Sequence, residues 1–266
     1  MAQGRIILLG TGSSGGVPRV GGDWGACDPG EPRNRRLRCS ALVERSNGGG
    51  TTSILIDTSP DLREQLLACG ATHLDAVVYT HDHADQAHGI DDVRALAIRQ
   101  RAQIPVYFDE ATQARLERRF DYIFHGAGGY PPIMAPQPAL KPLVPFTIPG
   151  RGGPVEFLPV DMEHGRIRCL GFRIGDTAYC NDVNGLPPES MQALRGLDTL
   201  IIDALRYTPH PSHAHLGLTL DWIADLKPKR AILTNLHVDM DYQTLLRELP
   251  DGVEPAYDGM EIEFAL

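Results

Sequence analysis

Short runs of β-branched and aliphatic residues alternate with amphipathic stretches along the chain. Runs of this kind, apolar throughout or alternating with polar residues, predict β-strands. Eleven predicted strands cover residues 5–10, 40–45, 52–57, 75–80, 105–108, 154–160, 168–174, 177–181, 199–204, 230–235 and 261–265.

Helices are predicted between many of these strands, where the apolar pattern changes to a helical period. One helix is predicted to start at Ser59-Pro60, because serine suits the N-cap and proline the first helical position. The others cover 91–101, 110–124, 188–195, 215–226 and 241–248. The Gly/Pro-rich stretch 125–153 lacks a clear period and is predicted to be a flap or an insertion. The alternation of strands and helices over 1–266 indicates an α/β sandwich in a single domain.

Polar residues that can perform chemistry follow several predicted strands at the points where these end. The residues in such places are His81, His164, Asp182, Asp203 and Asn235. In layered α/β folds, strand ends lead into loops along one edge of the sheet, and ligands bind there. We therefore expect these side chains to meet at one site.

The composition of the chain indicates a folded globular protein without a membrane-spanning segment. Of the 266 residues, 42% are hydrophobic and 22% are charged, which argues against disorder and allows a sizeable core. No apolar run approaches the roughly 20 residues that span a bilayer, and the N-terminus lacks the apolar segment of a signal peptide. We expect no membrane contact. Five dispersed cysteines are typical of a reduced, cytoplasmic protein.

The formal net charge of −9 argues against binding a long nucleic acid, because such affinity depends on neutralising phosphates. The segment "PRNRRLR" has the opposite charge, with arginines at 33, 35, 36 and 38. It is either a solvated basic loop or a rim that attracts an anionic substrate.

Metal-ligand side chains crowd the segment "THDHADQAHGIDD", residues 80–92. His81 and His83 alternate along an extended backbone and can face one ion, with Asp85 placed for a neighbouring ion. A mixed set of imidazoles and carboxylates leaves a position for water, whose pKa a metal lowers to about 7. The alternative is a polar loop whose histidines cap the helix at 91–101. Three ligand-type residues at this spacing favour the metal site.

Several motifs resemble one family. "THDHAD" and "GIDDVR" are similar to the HxHxDH signature of the metallo-β-lactamase-fold hydrolases. "LLGTGSSGGVPRVGG", "NRRLRCSALV", "GFRIGDTAYCND" and "HPSHAHL" resemble the branch that contains the phosphoribosyl cyclic phosphate phosphodiesterases, and more distantly the tRNA 3′-processing endonucleases. The resemblance covers nearly the whole chain. It implies a metallo-β-lactamase-like four-layer αβ/βα sandwich of two mixed sheets, and it is compatible with a homodimer.

The resemblance also implies the ligands of a first metal ion. These are His81, His83 and His164, with Asp182 bridging to a second ion. The cofactor expected from these residues is one or two divalent ions, zinc or manganese.

The second ion is where this chain departs from the family. The resemblance implies Asp85, the bridging aspartate and two histidines as its ligands, but the histidine positions hold Gln86 and Asn235. Amides are neutral oxygen donors that suit manganese or magnesium better than zinc. His237, two positions after Asn235, is an alternative metal ligand, and His88 is a weaker one.

Further residues are assigned to substrate and proton transfer. The resemblance places His213 near the leaving group as a general acid or phosphate binder, although a solvent-exposed histidine at a helix start is an alternative. Asp203 is expected either to support a ligand histidine or only to end its strand. Asp85 is expected to position the attacking water or to bind the second ion. The residues assigned to substrate binding are Gln86, Asn235, Arg206 and His215.

A structural zinc is not expected. Related sequences carry a cysteine cluster after "VPR" that holds such an ion, whereas this chain has "VGGDWGAC", in which only Cys27 remains. One thiol cannot form that site.

These features predict a metal-dependent hydrolase that cleaves a phosphodiester through metal-bound hydroxide, in a small cyclic phosphate or nucleotide-like substrate. Two alternatives stay open. The fold also supports hydrolysis of other esters, such as thioesters or lactones. A nucleotide-binding protein that kept one metal and lost turnover is the other alternative, which the two amides favour and the intact first ligand set opposes.

Overall fold

The chain forms two mixed sheets of seven strands each, seen in a computed structural model that describes residues 3–265. Residues 1, 2 and 266, at the ends of the predicted domain, lie outside the described range. The strands, in chain order, are β1 (Gln3–Gly10), β2 (Ser40–Asn47), β3 (Gly50–Ile56), β4 (Ala76–Val78), β5 (Ile104–Tyr107), β6 (Met134–Pro136), β7 (Phe146–Ile148), β8 (Val155–His164), β9 (Ile167–Ile174), β10 (Thr177–Cys180), β11 (Thr199–Asp203), β12 (Arg230–Thr234), β13 (Val253–Pro255) and β14 (Met260–Phe264).

Each sheet combines an antiparallel and a parallel half. The first has the order β14-β1-β2-β3-β4-β5-β6, antiparallel from β14 to β3 and parallel from β3 to β6. The second has the order β13-β12-β11-β10-β9-β8-β7, parallel from β13 to β10 and antiparallel from β10 to β7. Tight turns connect β2 to β3, β8 to β9 and β9 to β10, whereas parallel neighbours need a crossover and therefore bring in the helices.

The helices cover the outer faces of the two sheets. They are α1 (Leu62–Cys69), α2 (Ala84–Ala87), α3 (Arg94–Gln100), α4 (Glu110–Arg119), α5 (Asp121–His125), α6 (Pro188–Ala193), α7 (Leu216–Leu226) and α8 (Tyr242–Glu248), with 3₁₀ turns at Pro32–Asn34 and Ile90–Val93. Within the described range, no helix is both long and apolar enough to cross a bilayer.

Three apolar cores hold these layers together. One lies between the sheets and includes Phe157 and Phe172, whose ring centroids are 5.9 Å apart. A second lies between the first sheet and α1, α3, α4 and α5, and a third between the second sheet and α6, α7 and α8. Central strands buried on both faces, such as Ala76–Val78 in β4, are apolar throughout for this reason. The prediction of a four-layer sandwich of two mixed sheets is confirmed.

All eleven predicted strands are present, and the sequence pattern missed three short ones. These are β6, β7 and β13, each three residues long and each at the edge of a sheet. An edge strand pairs on one side only and tolerates proline, so it needs little pattern of its own. The stretch 125–153 supplies β6 to one sheet and β7 to the other, and the prediction that it is a flap was wrong for these residues.

Two helix predictions need correction at their boundaries. The helix expected from Ser59-Pro60 begins at Leu62 with Asp61 as its N-cap, while the Ser59 hydroxyl donates to Gln65 Oε1 at 2.8 Å. The helix expected over 110–124 is two helices, α4 and α5, because Phe120 leaves the helical conformation at φ −126° and ψ 42°.

Candidate metal centre

Strands of both sheets deliver polar residues to one shared site. His81 follows β4 of the first sheet, and His164 is the last residue of β8 in the second. Asp182 and Asn235 follow β10 and β12, and both have left-handed backbone conformations, with φ of 56° and 62°. This region costs of order 1–3 kcal/mol for residues with a side chain, although asparagine and aspartate tolerate it best. It turns both side chains sharply away from the strand direction.

Three imidazoles surround one point. The ring centroids of His81, His83 and His164 lie 4.6, 5.0 and 5.1 Å from each other, and their nearest ligand atoms lie within 4.8 Å of one another. His83 Nδ1 is 3.2 Å from His164 Nε2. Nitrogens bound to one tetrahedral zinc at about 2.1 Å are roughly 3.4 Å apart, so this spacing fits a shared ion.

Hydrogen bonds orient two of these rings. His164 Nδ1 donates to the Ser212 carbonyl oxygen at 2.7 Å, which leaves the Nε2 lone pair for a metal. His81 Nδ1 lies 3.0 Å from Thr80 Oγ1, and this hydroxyl donates to Asp57 Oδ2 at 2.8 Å. His81 Nε2 is buried and, among the described residues, has no hydrogen-bond partner. An unpartnered buried nitrogen that faces two further imidazoles fits a metal ion, whose presence would satisfy it.

Burial and neighbouring rings keep two of the ligand imidazoles, those of His81 and His164, neutral. Burial lowers the pKa of His81 well below its ordinary value, and the neighbouring rings of His164 and His83 lower it further. Burial also lowers the pKa of His164 to about 4, with a further contribution from His213. Only the neutral imidazole can bind a metal, so the site is prepared for one at neutral pH.

Asp182 lies at the bottom of the site and is surrounded by amides. Gln86 Nε2 donates to its Oδ2 at 2.7 Å, and Asn235 Nδ2 donates to its Oδ1 at 2.9 Å. Asn181 Nδ2 lies 3.2 Å from Oδ2, and His81 Nε2 lies 3.9 Å from the same oxygen. Burial raises the pKa of Asp182, and the charge of His213 opposes this effect, while the amides donate hydrogen bonds to its oxygens.

His213 stands beside this group and is held by Asp203. Its Nδ1 is 2.9 Å from Asp203 Oδ2, which also accepts from the Val183 amide at 3.1 Å. The ring centroid of His213 is 4.7 Å from that of His164. Burial lowers the pKa of His213, but the nearby carboxylates of Asp203 and Asp182 outweigh it and raise this pKa to about 9. Asp203 therefore supports a histidine, as one of the two expectations held, but this histidine is His213 and not one of the three in the triad.

Other predicted site residues lie further from the triad. His237 Nε2 contacts the Arg19 guanidinium, and its Nδ1 is 3.0 Å from Asp239 Oδ2. It belongs to neither of the two groups that could hold a metal among residues 3–265, and neither does Asp85. Asp85 is half-buried on α2.

The loop around His213 contains two more of the predicted residues. Arg206 uses its guanidinium to bond the carbonyl oxygens of Thr208 and Pro209, at 3.1 and 2.7 Å. His215 is the N-cap of α7. Their assignment to substrate, like that of the buried Gln86 and Asn235, stays a prediction. His88 is exposed, with its ring 5.7 Å from that of Phe120.

The basic segment 33–38 is mostly engaged with protein. Arg36 is fully buried, with Nη1 donating to Cys27 Sγ at 3.6 Å, and Arg38 pairs with Asp61 at 3.0 Å. Arg33 and Arg35 lie over aromatic rings. The interpretation of a free rim of four arginines was therefore wrong for Arg36 and Arg38. The expected lack of a structural zinc near Cys27 stays a prediction.

Sequence reasoning missed the pair formed by Asp57 and Thr80. Asp57 follows β3 with φ of 60° and accepts from both the backbone amide and the hydroxyl of Thr80, each at 2.8 Å. Burial raises the pKa of Asp57 to about 8. The signal was visible in "SILIDTSP", where an aspartate ends an apolar strand as at the other site positions.

Replacing Thr80 by valine is expected to lower metal affinity by about 10–100-fold, because it removes the group that orients His81. Valine keeps the shape of threonine but cannot accept from His81 Nδ1. The measurement is the dissociation constant of zinc by chelator competition, with Thr80→Ser as the control that retains the hydroxyl. Equal affinity of the valine and serine variants would contradict this role.

Comparisons with known proteins agree with this geometry. A family model described as the beta-lactamase superfamily domain matches residues 52–235. A crystal structure of a diphosphatase from the PhnP family is 36% identical to this chain and has a TM-score of 0.88. The match covers 99% of this chain and 98% of the diphosphatase. The short form of human tRNase Z has a TM-score of 0.63 at 15% identity, covering 98% of this chain and 100% of its own, and shows the shared fold.

One curated relative extends beyond the matched region. An octanoyltransferase of Porphyromonas gingivalis is 33% identical over 261 residues, which are 97% of this chain but 51% of the relative. The chain therefore spans about half the length of that relative. The name octanoyltransferase does not say which half of the relative has that activity.

The fold is the metallo-β-lactamase fold, and the histidine–aspartate cluster forms a site suited to a divalent metal. The chain belongs to the beta-lactamase superfamily, since the family model matches more than half of its residues. The resemblance inferred from "THDHAD" and the other motifs is confirmed.

Proposed function

We propose that the protein is a metal-dependent phosphodiesterase that cleaves a small cyclic phosphate or a nucleotide-like diphosphate. The observation that carries this proposal is the overlap of two groups at His164. It belongs to the histidine triad and also to the group formed with Asp182 and His213. An imidazole that can donate a proton therefore lies beside the metal position, as ester cleavage with leaving-group protonation requires. The similar structure, a diphosphatase of the PhnP family, supports a P–O bond as the target.

The histidine triad is the part that would hold the ion. His81 Nε2, His83 Nδ1 and His164 Nε2 are its ligand atoms, and zinc or manganese is the expected metal. When bound, the ion supplies a Lewis acid for a phosphoryl oxygen and a water whose pKa lies near 7. The chain itself directs three imidazoles at one point. Asp85 is the candidate for orienting the attacking water, since its charge acts on His213.

His213 is proposed to protonate the leaving oxygen. Its Nδ1 is bonded to Asp203, so Nε2 is the nitrogen that transfers a proton. Asp203 fixes the ring and stabilises its protonated form, which is the acid required at neutral pH. The alternative of a solvent-exposed helix-start histidine does not fit a ring bonded to a buried carboxylate.

Two positive groups are proposed to attract the phosphate, namely the protonated ring of His213 and the Arg206 guanidinium. The His210 ring centroid lies 5.0 Å from that of His213. The pKa of His210 is lowered by burial and by His213, Arg206 and His237, which means that these groups lie within electrostatic range of each other. Such surroundings favour an anion over a neutral ester.

Hydrolysis of an acyl ester is the second candidate function. One observation favours it, namely the Porphyromonas gingivalis relative named octanoyltransferase. The fold alone does not decide between the two bonds. The positive groups of His213 and Arg206 favour the phosphate ester.

The test measures hydrolysis of four substrates by protein loaded with zinc or manganese. They are bis(p-nitrophenyl) phosphate, 2′,3′-cyclic AMP, ADP-ribose and p-nitrophenyl octanoate, with chelator-treated protein as the control. We expect metal-dependent cleavage of at least one phosphorus substrate. In ¹⁸O-water the label should enter the phosphate product, because attack occurs at phosphorus.

Two results would contradict the proposal. Faster metal-dependent cleavage of the octanoate ester than of any phosphorus substrate would favour the acyl-ester hydrolase. Binding of ADP-ribose or cyclic AMP without turnover, under either metal, would favour the nucleotide-binding protein that lost catalysis.

A further inference from the structure

We infer that the centre holds a single metal ion, in the histidine triad, and that the side-chain amides of Gln86 and Asn235 occupy the place of a second. This inference takes from the proposed function only the location of the metal site. It concerns the number of ions, which can be counted without any substrate.

The first step is the state of Asp182, the one carboxylate among residues 3–265 that belongs to a group able to hold a metal. Its two oxygens accept from Gln86 Nε2 at 2.7 Å and from Asn235 Nδ2 at 2.9 Å. Asn181 Nδ2 adds a third amide at 3.2 Å, and His213 Nδ1 lies 3.3 Å from Oδ1. A carboxylate has about four lone-pair directions, so little of its capacity is left for a second cation.

The second step is the orientation of the amides, which chemistry determines. An amide oxygen turned towards a carboxylate would be repelled, so the NH₂ groups of Gln86 and Asn235 must face Asp182. The opposite atom of Asn235 agrees with this assignment, since its Oδ1 lies 4.0 Å from the Cys39 thiol, which can donate to it. Gln86 Oε1 is buried and has no partner among residues 3–265. An amide NH₂ has no lone pair to offer a metal, and its hydrogens would repel a cation.

The third step is charge. A buried carboxylate needs compensation, and Asp182 is 1% exposed. In a two-metal site the second ion would supply this compensation. Here Gln86 and Asn235, which are 0% and 1% exposed, supply hydrogen bonds in its place. Asp85 is then the one predicted ligand of the second ion that remains unengaged, and a single carboxylate does not hold a divalent ion tightly.

The orphaned nitrogen of His81 marks the contrast between the two positions. In the triad, His81 Nε2 has no hydrogen-bond partner among the described residues, whereas both oxygens of Asp182 already accept from amide groups. A second ion could use the amide oxygens only if both side chains rotated by 180° and both bonds to Asp182 broke. The arrangement of the amides seen here is therefore the one expected for a one-ion centre.

The experiment counts ions by inductively coupled plasma mass spectrometry after equilibration with excess zinc or manganese and removal of weakly bound metal. We expect one ion per chain in the unmodified protein and two in the double variant Gln86→His/Asn235→His. Histidine is acceptable at position 235 because, like asparagine, it tolerates a positive φ. A control, Gln86→Met/Asn235→Gly, removes the amides without adding a ligand, suits the positive φ at position 235 and should not gain an ion.

Manganese gives a second readout that needs no variant. One isolated ion per chain shows an uncoupled electron paramagnetic resonance spectrum, whereas two ions that share a carboxylate show exchange coupling. Two tightly bound ions, or a coupled spectrum, in the unmodified protein would overturn the inference whether or not the variants fold. One ion without phosphodiester cleavage would leave the inference intact and contradict the proposed function. Two ions with phosphodiester cleavage would contradict the inference and leave the proposed function intact.

Discussion

Replacing His83 by alanine is expected to remove the tightly held metal ion and to reduce hydrolysis by more than about 100-fold. Groups that only orient a metal ligand are worth 10–100-fold, so loss of a ligand itself should cost at least as much. The fold should survive, because the side chain of His83 is exposed and makes no capping bond to α2. Metal content per chain, kcat/KM and thermal unfolding of the chelator-treated protein measure the three effects.

His88→Ala is the matched control for this variant. It removes an exposed imidazole from the same segment, and its ring packs near Phe120 instead of facing the triad. We expect it to keep both the metal and the activity. Full metal content in His83→Ala would show that the triad does not hold the ion. Equal losses in both variants would indicate a general disturbance of the loop.

The fold was predictable because its signals are local. An apolar run of four to seven residues that ends in a polar one can be recognised within a single segment, and eleven strands were found in this way. The strand-end rule also gathered His81, His164 and Asp182 at one site before any contact was known. What escaped was short and at an edge, such as β6 and β13, where one neighbouring strand fixes the conformation more than the segment's own pattern does.

The hydrogen-bond partners in the site were less predictable, because they depend on side chains far apart in sequence. Gln86 and Asn235 look like lost ligands in the sequence, yet they lie 96 and 53 positions from Asp182 and bond to it. His237 looked like a replacement ligand two positions from Asn235. Its ring instead contacts Arg19, 218 positions away, a pairing that nothing in the local pattern indicates.

The Asp57–Thr80 pair illustrates the same limit on a smaller scale. The parallel pairing of β3 and β4 sets Ile56 opposite Val78, and this register brings the residues after each strand into contact. Asp57 then fixes the hydroxyl that orients His81. The sequence alone does not show which residue an aspartate after an apolar strand contacts. The register of β3 and β4 determines that this residue is Thr80.

The role of His213 depends on how good the leaving group is. A general acid matters most when the departing oxygen is strongly basic, as in a sugar alkoxide, and least when it leaves readily as p-nitrophenolate. A residue that only binds phosphate or only supports the fold would affect both kinds of substrate equally. Comparing two substrates with one variant therefore separates proton transfer from positioning.

His213→Gln is expected to lower kcat for a substrate with a sugar-alkoxide leaving group by about 10²–10⁴-fold, and to change bis(p-nitrophenyl) phosphate turnover far less. Glutamine can still donate to Asp203, so the buried carboxylate keeps its partner, but it cannot release a proton. His210→Gln, which alters the neighbouring ring 5.0 Å away, is the control and should retain kcat for both substrates. The measurement is kcat and KM for each substrate with each variant. Equal losses on both substrates, or a change in KM alone, would make His213 a phosphate binder, because only a proton donor distinguishes one departing oxygen from the other.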